Sequence, residues 1–234
     1  MVVLFDMDGT LVPMNQDSFT RAYFKGLCTK AAPLGYEPKA LVDAVWKGTV
    51  AMIKNDGKNK NSDVFWAAMK SVYGEKIITD MHLFDEFYEN EFDNLKSEVG
   101  YTAEASAVIN RLKKKGVRLV LASNPVFPAL AQTKRVGWAG IDASVFERVT
   151  SYENSSYCKP NPEYYTEIVK SLGVEAKDCL MIGNDASDDL AAAKAGLSVF
   201  LLTDGLINTG NVDISKIPHG GYKELNDYLD KAGL

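Results

Sequence analysis

Four short blocks along the chain end apolar runs in residues that can carry charge or hold an anion. The first is Val2-Val3-Leu4-Phe5-Asp6-Met7-Asp8-Gly9-Thr10. Two acids one residue apart, at the end of a buried strand, raise one another's pKa and need a cation or a shared proton. Gly9 then supplies a turn without a Cβ. The second block, Leu119-Val120-Leu121-Ala122-Ser123-Asn124-Pro125, ends in a hydroxyl and an amide. Ser123 and the backbone N–H after it can hold a phosphate oxygen or an oxyanion. The third places Lys159 between Cys158 and Pro160. A lysine is a compact charge with three donors, suited to a phosphate oxygen or a carboxylate. The fourth, Leu180-Met181-Ile182-Gly183-Asn184-Asp185-Ala186-Ser187-Asp188-Asp189, follows an apolar strand with three carboxylates in five residues. One acid there can be a helix N-cap. Three are better explained by a hard divalent cation. Each block alone has a bland reading as a turn, a cap or a solvated loop. Their order along one chain sets those readings aside.

Taken together and in this order, the blocks resemble the haloacid dehalogenase superfamily, in its helical-cap, phosphatase-like branch. The resemblance spans Val2 to about Leu202. It implies a magnesium-dependent phosphohydrolase that acts through an aspartyl-phosphate. Asp6 would be the nucleophile and Asp8 the general acid and base. Ser123, Asn124 and Lys159 would bind the phosphoryl oxygens. Magnesium would be held by Asp6, the main-chain carbonyl of Asp8, and Asp185. Asp189 would brace the metal waters or Lys159, with Asp188 in that role if the helix register differs by one. The family's acidic block commonly reads Gly-Asp, whereas Asn184 intervenes here. Asp8 argues against a dehalogenase, which needs neither that acid nor the metal. A phosphomutase, or a non-catalytic phosphate-sensing or partner-binding module on the same scaffold, stays open as an alternative.

Elements must position these blocks. After Asp8 no further core strand is legible until about Arg118. The intervening text reads as a bundle of about four helices. Phe65, Ala68, Met69 and Val72 fall at helical spacing behind a Ser62 N-cap. Leu41, Val45, Thr49 and Met52 form a second face, and 17–27 and 80–95 read as two more helices. From Thr102 helix and strand alternate, with strands near 118–122, 147–150, 178–182 and 198–202. That alternation predicts an α/β, Rossmann-like parallel sheet with helices on both faces. The expected division is a core at 1–14 and 98–234, with an inserted α-helical cap at 15–97. Ligands sit at strand carboxyl ends in such sheets, where Asp6, Asp8, Ser123 and Asp185 all fall. Hinges are expected near 12–16 and 97–101. Leaving-group contacts are sought at Gln16, Phe19, Lys47 and the loop 55–61. Trp46, Phe65, Trp66, Phe84, Phe87 and Tyr88 read as cap core rather than as a substrate cage.

Composition narrows the field. With 234 residues, 46% hydrophobic and 24% charged, the chain can bury a real core. A net charge of −5 offers nothing to nucleic acid. No apolar run is long enough to span a bilayer. The apolar opening follows no basic stretch and reads as a strand, not a signal peptide. Cys28, Cys158 and Cys179 are odd in number and scattered, as in a cytoplasmic protein with reduced thiols. Two histidines, His82 and His219, are too few for a histidine phosphatase or a zinc site. Neither a Walker loop nor a Gly-x-Ser-x-Gly elbow appears. The expected partner is a small phosphorylated metabolite, with the physiological substrate and oligomeric state unread.

Overall fold

A computed structural model describes residues 1–234. Strand β1 (Val2–Phe5) is β-branched and apolar, and it lies in the middle of the sheet with all four residues buried. It pairs in parallel with β2 (Arg118–Leu121) on one side and β4 (Cys179–Gly183) on the other. The two-residue β3 (Arg148–Val149), β5 (Ser198–Leu202) and a short β6 (His219–Gly220) complete a six-stranded sheet of order 3-2-1-4-5-6. The strand near 147–150 is therefore shorter than its sequence suggested, and β6 is additional. Its two residues, His and Gly, carry no strand signal; pairing with β5 alone makes them one.

The period of two decides which residues face which layer. Val3 and Phe5 pack with α6 (Ala103–Lys114) and α10 (Tyr222–Lys231). Val2 and Leu4 pack with α8 (Pro162–Leu172) and the short α9 (Ala191–Lys194). Helix α7 (Ala129–Trp138) follows β2. Both faces are covered, as near-continuous apolar strands require. In register, Phe5 lies opposite Leu121 and Ile182, so the residues that follow all three strands emerge together.

Between β1 and β2 the chain builds α1 (Gln16–Ala31), α2 (Pro38–Ile53), α3 (Asn61–Tyr73), α4 (Glu75–Thr79) and α5 (Met81–Glu86). Asn15 caps α1 through the Ser18 N–H at 3.0 Å, and Glu37 caps α2 through the Lys39 and Ala40 N–H groups. The helix expected over 80–95 is instead broken. After α5 the chain makes a π turn over Phe87–Glu91 and then a 3-10 segment over Phe92–Glu98. The Phe92 N–H bonds the Phe87 carbonyl, five residues back. That extra residue brings Phe87 and Phe92 onto one face, their ring centroids 6.2 Å apart. The expected faces shift too. Val72 and Trp46 are exposed, at 44% and 48%, while Phe65 and Met69 are buried.

Ser62 is not the cap of α3. The helix starts at Asn61, and its first amides are capped by carbonyls from the far side of the molecule. Asn61 N–H donates to Ser155 O and Ser62 N–H to Tyr152 O, both at 2.9 Å. The fully buried Asn61 side chain also accepts from Asn55 Nδ2 at 2.9 Å and donates toward Pro125 O, Tyr157 O and Cys158 Sγ. The helical insert is thus tied down at a second place. The first is where the chain enters and leaves it: Met14 bridges Val99, and Gly100 N–H donates to Pro13 O at 2.7 Å. Its apolar core also takes in Ala131, Trp138 and Cys158 from the sheet-bearing part. Replacing Asn61 by Ala leaves Asn55 Nδ2 with only its bond to the Asn59 carbonyl and opens this latch by removing the side chain that reaches Pro125, Tyr157 and Cys158. Urea unfolding should then show a loss of about 1–3 kcal/mol; an unchanged midpoint would show that the latch contributes nothing.

Candidate active site

The carboxyl ends of β1, β2 and β4 meet around one lysine. Lys159, 2% exposed, donates to Asp6 Oδ1 and to Asp189 Oδ1, both at 2.7 Å. Asp189 is fully buried, and its second oxygen accepts the Asn184 and Asp185 N–H groups at 2.9 Å. Two buried carboxylates therefore share one ammonium. Burial alone would depress the Lys159 pKa, but Asp189 and Asp6 outweigh it and hold the ammonium well above the usual lysine range. Burial pushes the Asp6 carboxyl up to about 7, with Lys159 opposing and Asp189 and Asp8 adding to the rise. One cation cannot satisfy both acids in so dry a place.

Close packing fixes the loops that carry these groups. Gly9 has φ +83°, and a Cβ there would meet Asn184 Nδ2 at 2.3 Å. Asn184 itself accepts from Thr10 Oγ1 at 2.9 Å and donates to Gly205 O at 2.7 Å. The residue that departs from the Gly-Asp pattern thus ties the β1 loop to the loop after β5. Gly183 must lack a side chain as well, because Asp189 folds back to within 2.1 Å of where a Cβ would lie.

The second block arrives equally prepared. Ser123 is 2% exposed, and its carbonyl accepts from Thr150 Oγ1 and the Tyr164 hydroxyl. Its own hydroxyl makes no hydrogen bond, nor does the Asn124 N–H. Asn124 Nδ2 lies 3.5 Å from Asp188 Oδ2, and its buried Oδ1 has no partner. Burial raises the Asp188 carboxyl to about 6, with Lys159 opposing and Asp185 adding to the rise.

Asp8 lives in a separate field. It pairs with Arg135 of α7, a residue that the sequence reading passed over. Arg135 is 1% exposed and sits against the rings of Phe19 and Phe127, 5.3 and 5.1 Å from their centroids. It also donates to Gln132 Oε1 at 3.1 Å, and Gln132 donates to the Asn124 carbonyl at 3.3 Å. The available signal was an arginine on the apolar stripe Ala131, Val136 and Trp138, where a solvated cation has no place.

The donor set suits a hard cation. No three carboxylate, imidazole or thiol side chains form a cage. Among the oxygens left without a hydrogen bond are the second of Asp6, the main-chain carbonyl of Asp8, and the second of Asp185, whose Oδ1 accepts from Ser187 and Asp188 N–H. Two carboxylates and a carbonyl are the oxygen-only, water-sparing kind of site that magnesium favours.

Above Asp8 and Arg135 a cavity of about 190 Å³ opens among the helices of the insert. Gln16 and Phe19 line it. Lys47 does not: its ammonium lies outside, on Ser71 Oγ. The loop 55–61 is likewise absent from the wall, being occupied with the Asn61 latch. Trp46, Phe65, Trp66, Phe84 and Tyr88 line the cavity, whereas Phe87 is buried core without reaching it. Phe65, Phe84, Phe87 and Tyr88 are nonetheless buried in the insert's apolar core, as expected, with Trp66 packed against it; only Trp46 is exposed.

Residues 1–196 match the family described as haloacid dehalogenase-like hydrolase. The chain belongs to that family. Phosphoglycolate phosphatase 1 of Pseudomonas aeruginosa is 26% identical, covering 99% of this chain and 79% of that protein. Phosphoglycolate phosphatase of Yersinia pseudotuberculosis is 25% identical over 99% and 93%. Among solved structures, a 2-haloacid dehalogenase from Pseudomonas syringae pv. Tomato aligns with TM-score 0.65 at 22% identity over 99% of both chains. A family hydrolase from Deinococcus radiodurans, with bound phosphate and sodium, aligns with TM-score 0.58 at 18% identity over 99% and 96%. These likenesses establish the Rossmann-like α/β fold, and the chain is an enzyme of the family's phosphatase kind. No helix is long and apolar enough to cross a membrane.

The ion cluster gives a stability test. Lys159→Ala leaves Asp189 buried without a cation and should cost about 3–5 kcal/mol in chemical unfolding. Adding Asp189→Ala should return part of that loss. A single-variant loss below about 1 kcal/mol would remove the lysine from its central place.

Proposed function

We propose that this haloacid dehalogenase-like hydrolase cleaves a small phosphate monoester through an aspartyl-phosphate on Asp6. The observation that carries this is the separation of the two acids. Asp6 is held by Lys159 with one oxygen free, whereas Asp8 answers to Arg135. Carboxylates in different fields can take different roles. Residues 1–14 and 98–234 serve as the core and 15–97 as the cap.

The free Asp6 oxygen attacks phosphorus, and the bond from phosphorus to the leaving oxygen breaks. Asp8 gives its proton to that oxygen and is left as a carboxylate. It then takes a proton from water, the water oxygen attacks phosphorus, and the Asp6–phosphorus bond breaks to release phosphate. Ser123 Oγ, the Asn124 N–H and the one Lys159 N–H not given to Asp6 or Asp189 are free to stabilise the phosphoryl oxygens as charge spreads over them. Asp189 keeps Lys159 aimed, and Asp188 steadies the Asn124 amide. Arg135 is a positioning residue that fixes the Asp8 carboxylate. Magnesium, held by Asp6, the Asp8 carbonyl and Asp185, would supply charge neutralisation for the incoming phosphoryl group. The names of the relatives support a small organic phosphate as substrate. Three free thiols suit a reducing cytoplasm.

Phosphate release from a panel of small esters tests this reading. Activity should vanish with chelator and return with magnesium. Asp6→Asn should fall to background, and Asp8→Asn should lose about 10²–10⁴-fold in kcat. Chelator-resistant release, or an Asp6→Asn protein with normal turnover, would refute it.

A further inference from the structure

The cavity over Asp8 has a composition unlike its surroundings. Thirteen of its nineteen wall residues are hydrophobic. Phe24, Phe65, Trp66, Phe84 and Phe127 form much of it. Its only charged groups are Asp8 and Arg135, and these are paired with each other. The wall therefore offers no cation to a second anionic group. It touches Asp8, the proposed acid, and not Asp6, the proposed nucleophile; a polar cavity of about 310 Å³ that also touches Asp8 lies among the core loops around Gly9, Asn184 and Gly205 rather than under the insert's helices. Asp8 marks the side on which a leaving alcohol must lie.

We infer that the cavity receives the leaving group, and that the substrate is the phosphate monoester of an alcohol bearing one aromatic ring or a compact branched apolar group. This rests on the phosphatase reading above. Size supports it: a dry apolar cavity of about 150 Å³ already accepts benzene, and this one is about 190 Å³. Chemistry excludes the alternatives. The carboxylate of a phosphoglycolate-like acid would enter an apolar wall with its one arginine already spent, at a steep desolvation cost. The wall's uncharged polar groups are few, Gln16, Thr20 and Tyr152 beside Thr49, Tyr23 and Tyr88 that already hydrogen-bond within the protein, so most hydroxyls of a sugar phosphate would trade water for aromatic faces and stay unpaired. The rings stand edge to face around it, with Phe65 to Trp66 at 5.2 Å and Trp66 to Phe84 at 5.2 Å. Such walls suit the flat face and electropositive rim of an aromatic guest.

The test compares benzyl phosphate with ethyl phosphate and phosphoglycolate. Benzyl alcohol and ethanol are of similar acidity, so a rate difference between their esters reports the cavity rather than the bond. The expected kcat/KM for benzyl phosphate exceeds that for ethyl phosphate by at least about 50-fold, with phosphoglycolate no better than ethyl phosphate. Trp66→Ala should shrink the benzyl-to-ethyl ratio about tenfold. Calorimetry with benzylphosphonate and ethylphosphonate on the magnesium-loaded protein gives a second reading that needs no turnover; the benzyl compound should bind at least about 30-fold more tightly. Equal turnover of benzyl and ethyl esters, or a preference for phosphoglycolate, would overturn the assignment and leave the hydrolase reading standing. Tighter benzylphosphonate binding with no release from any ester would uphold the apolar site while defeating the phosphatase reading. Equal binding of the two phosphonates would overturn the assignment whatever the turnover.

Discussion

One ammonium holds three parts of the chain in place. Lys159 comes from the segment before α8, Asp6 from the end of β1, and Asp189 from the loop after β4. All three are buried, so none can turn to water for relief. Removing charges from solvent costs several kcal/mol per ion and is recovered only with good geometry and further hydrogen bonds. Asp189 meets that condition by accepting two backbone N–H groups besides the lysine. Asp6 does not, having one oxygen bonded and one free. The strain falls on Asp6, whose carboxyl is raised by burial. A cluster with one cation too few is what a divalent ion or a phosphoryl group's partners would complete.

The neighbouring contacts read as consequences. Gly183 is bare because Asp189 needs the space, and Gly9 is bare because Asn184 does. Asn184, which departs from the family's usual Gly-Asp pairing, has a structural task of its own. It bonds Thr10 on one side and Gly205 on the other, fastening two loops that would otherwise be free to drift apart. Tyr222 adds a third fastening through its hydroxyl to the Thr10 carbonyl at 2.5 Å. Asp8, the proposed acid, is kept on a separate support. Asp8 depends on Arg135 and α7, which also bears the seat of the helical insert through Ala131 and Trp138. The position of the acid and the roof over it thus rest on the same helix.

The strand-end residues were legible because their signals are local. An apolar run that stops at Asp6, Ser123 or Gly183 announces a strand and its terminus within a few letters. The parallel sheet then brings those termini together without further information. Arg135 was not legible in that way, since its partner lies 127 residues away. Only its place on an apolar helical stripe hinted at burial. The cap aromatics show a different limit. Hydrophobic spacing says that Phe65 or Tyr88 points inward, but not whether the space it faces is filled. Ser62 failed as a cap because Tyr152 and Ser155 supply the acceptors from across the fold, which no local rule anticipates. The π turn escaped for the same reason: Phe87 and Phe92 share a face only because Tyr23, Phe127 and Trp138 pack against them.

Selectivity in such an enzyme must come from whatever the roof places over the acid. The proposed catalytic groups would meet only a phosphoryl group and one ester oxygen, so they could not distinguish alcohols. A roof that is fixed at the Asn61 latch as well as at its two connections has less freedom to reshape itself around different guests. Its wall must then discriminate by what it already presents. Here it presents phenyl and indole surfaces and a neutralised ion pair. The cost of desolvating a polar leaving group in that setting is set by the wall, not by the phosphate site.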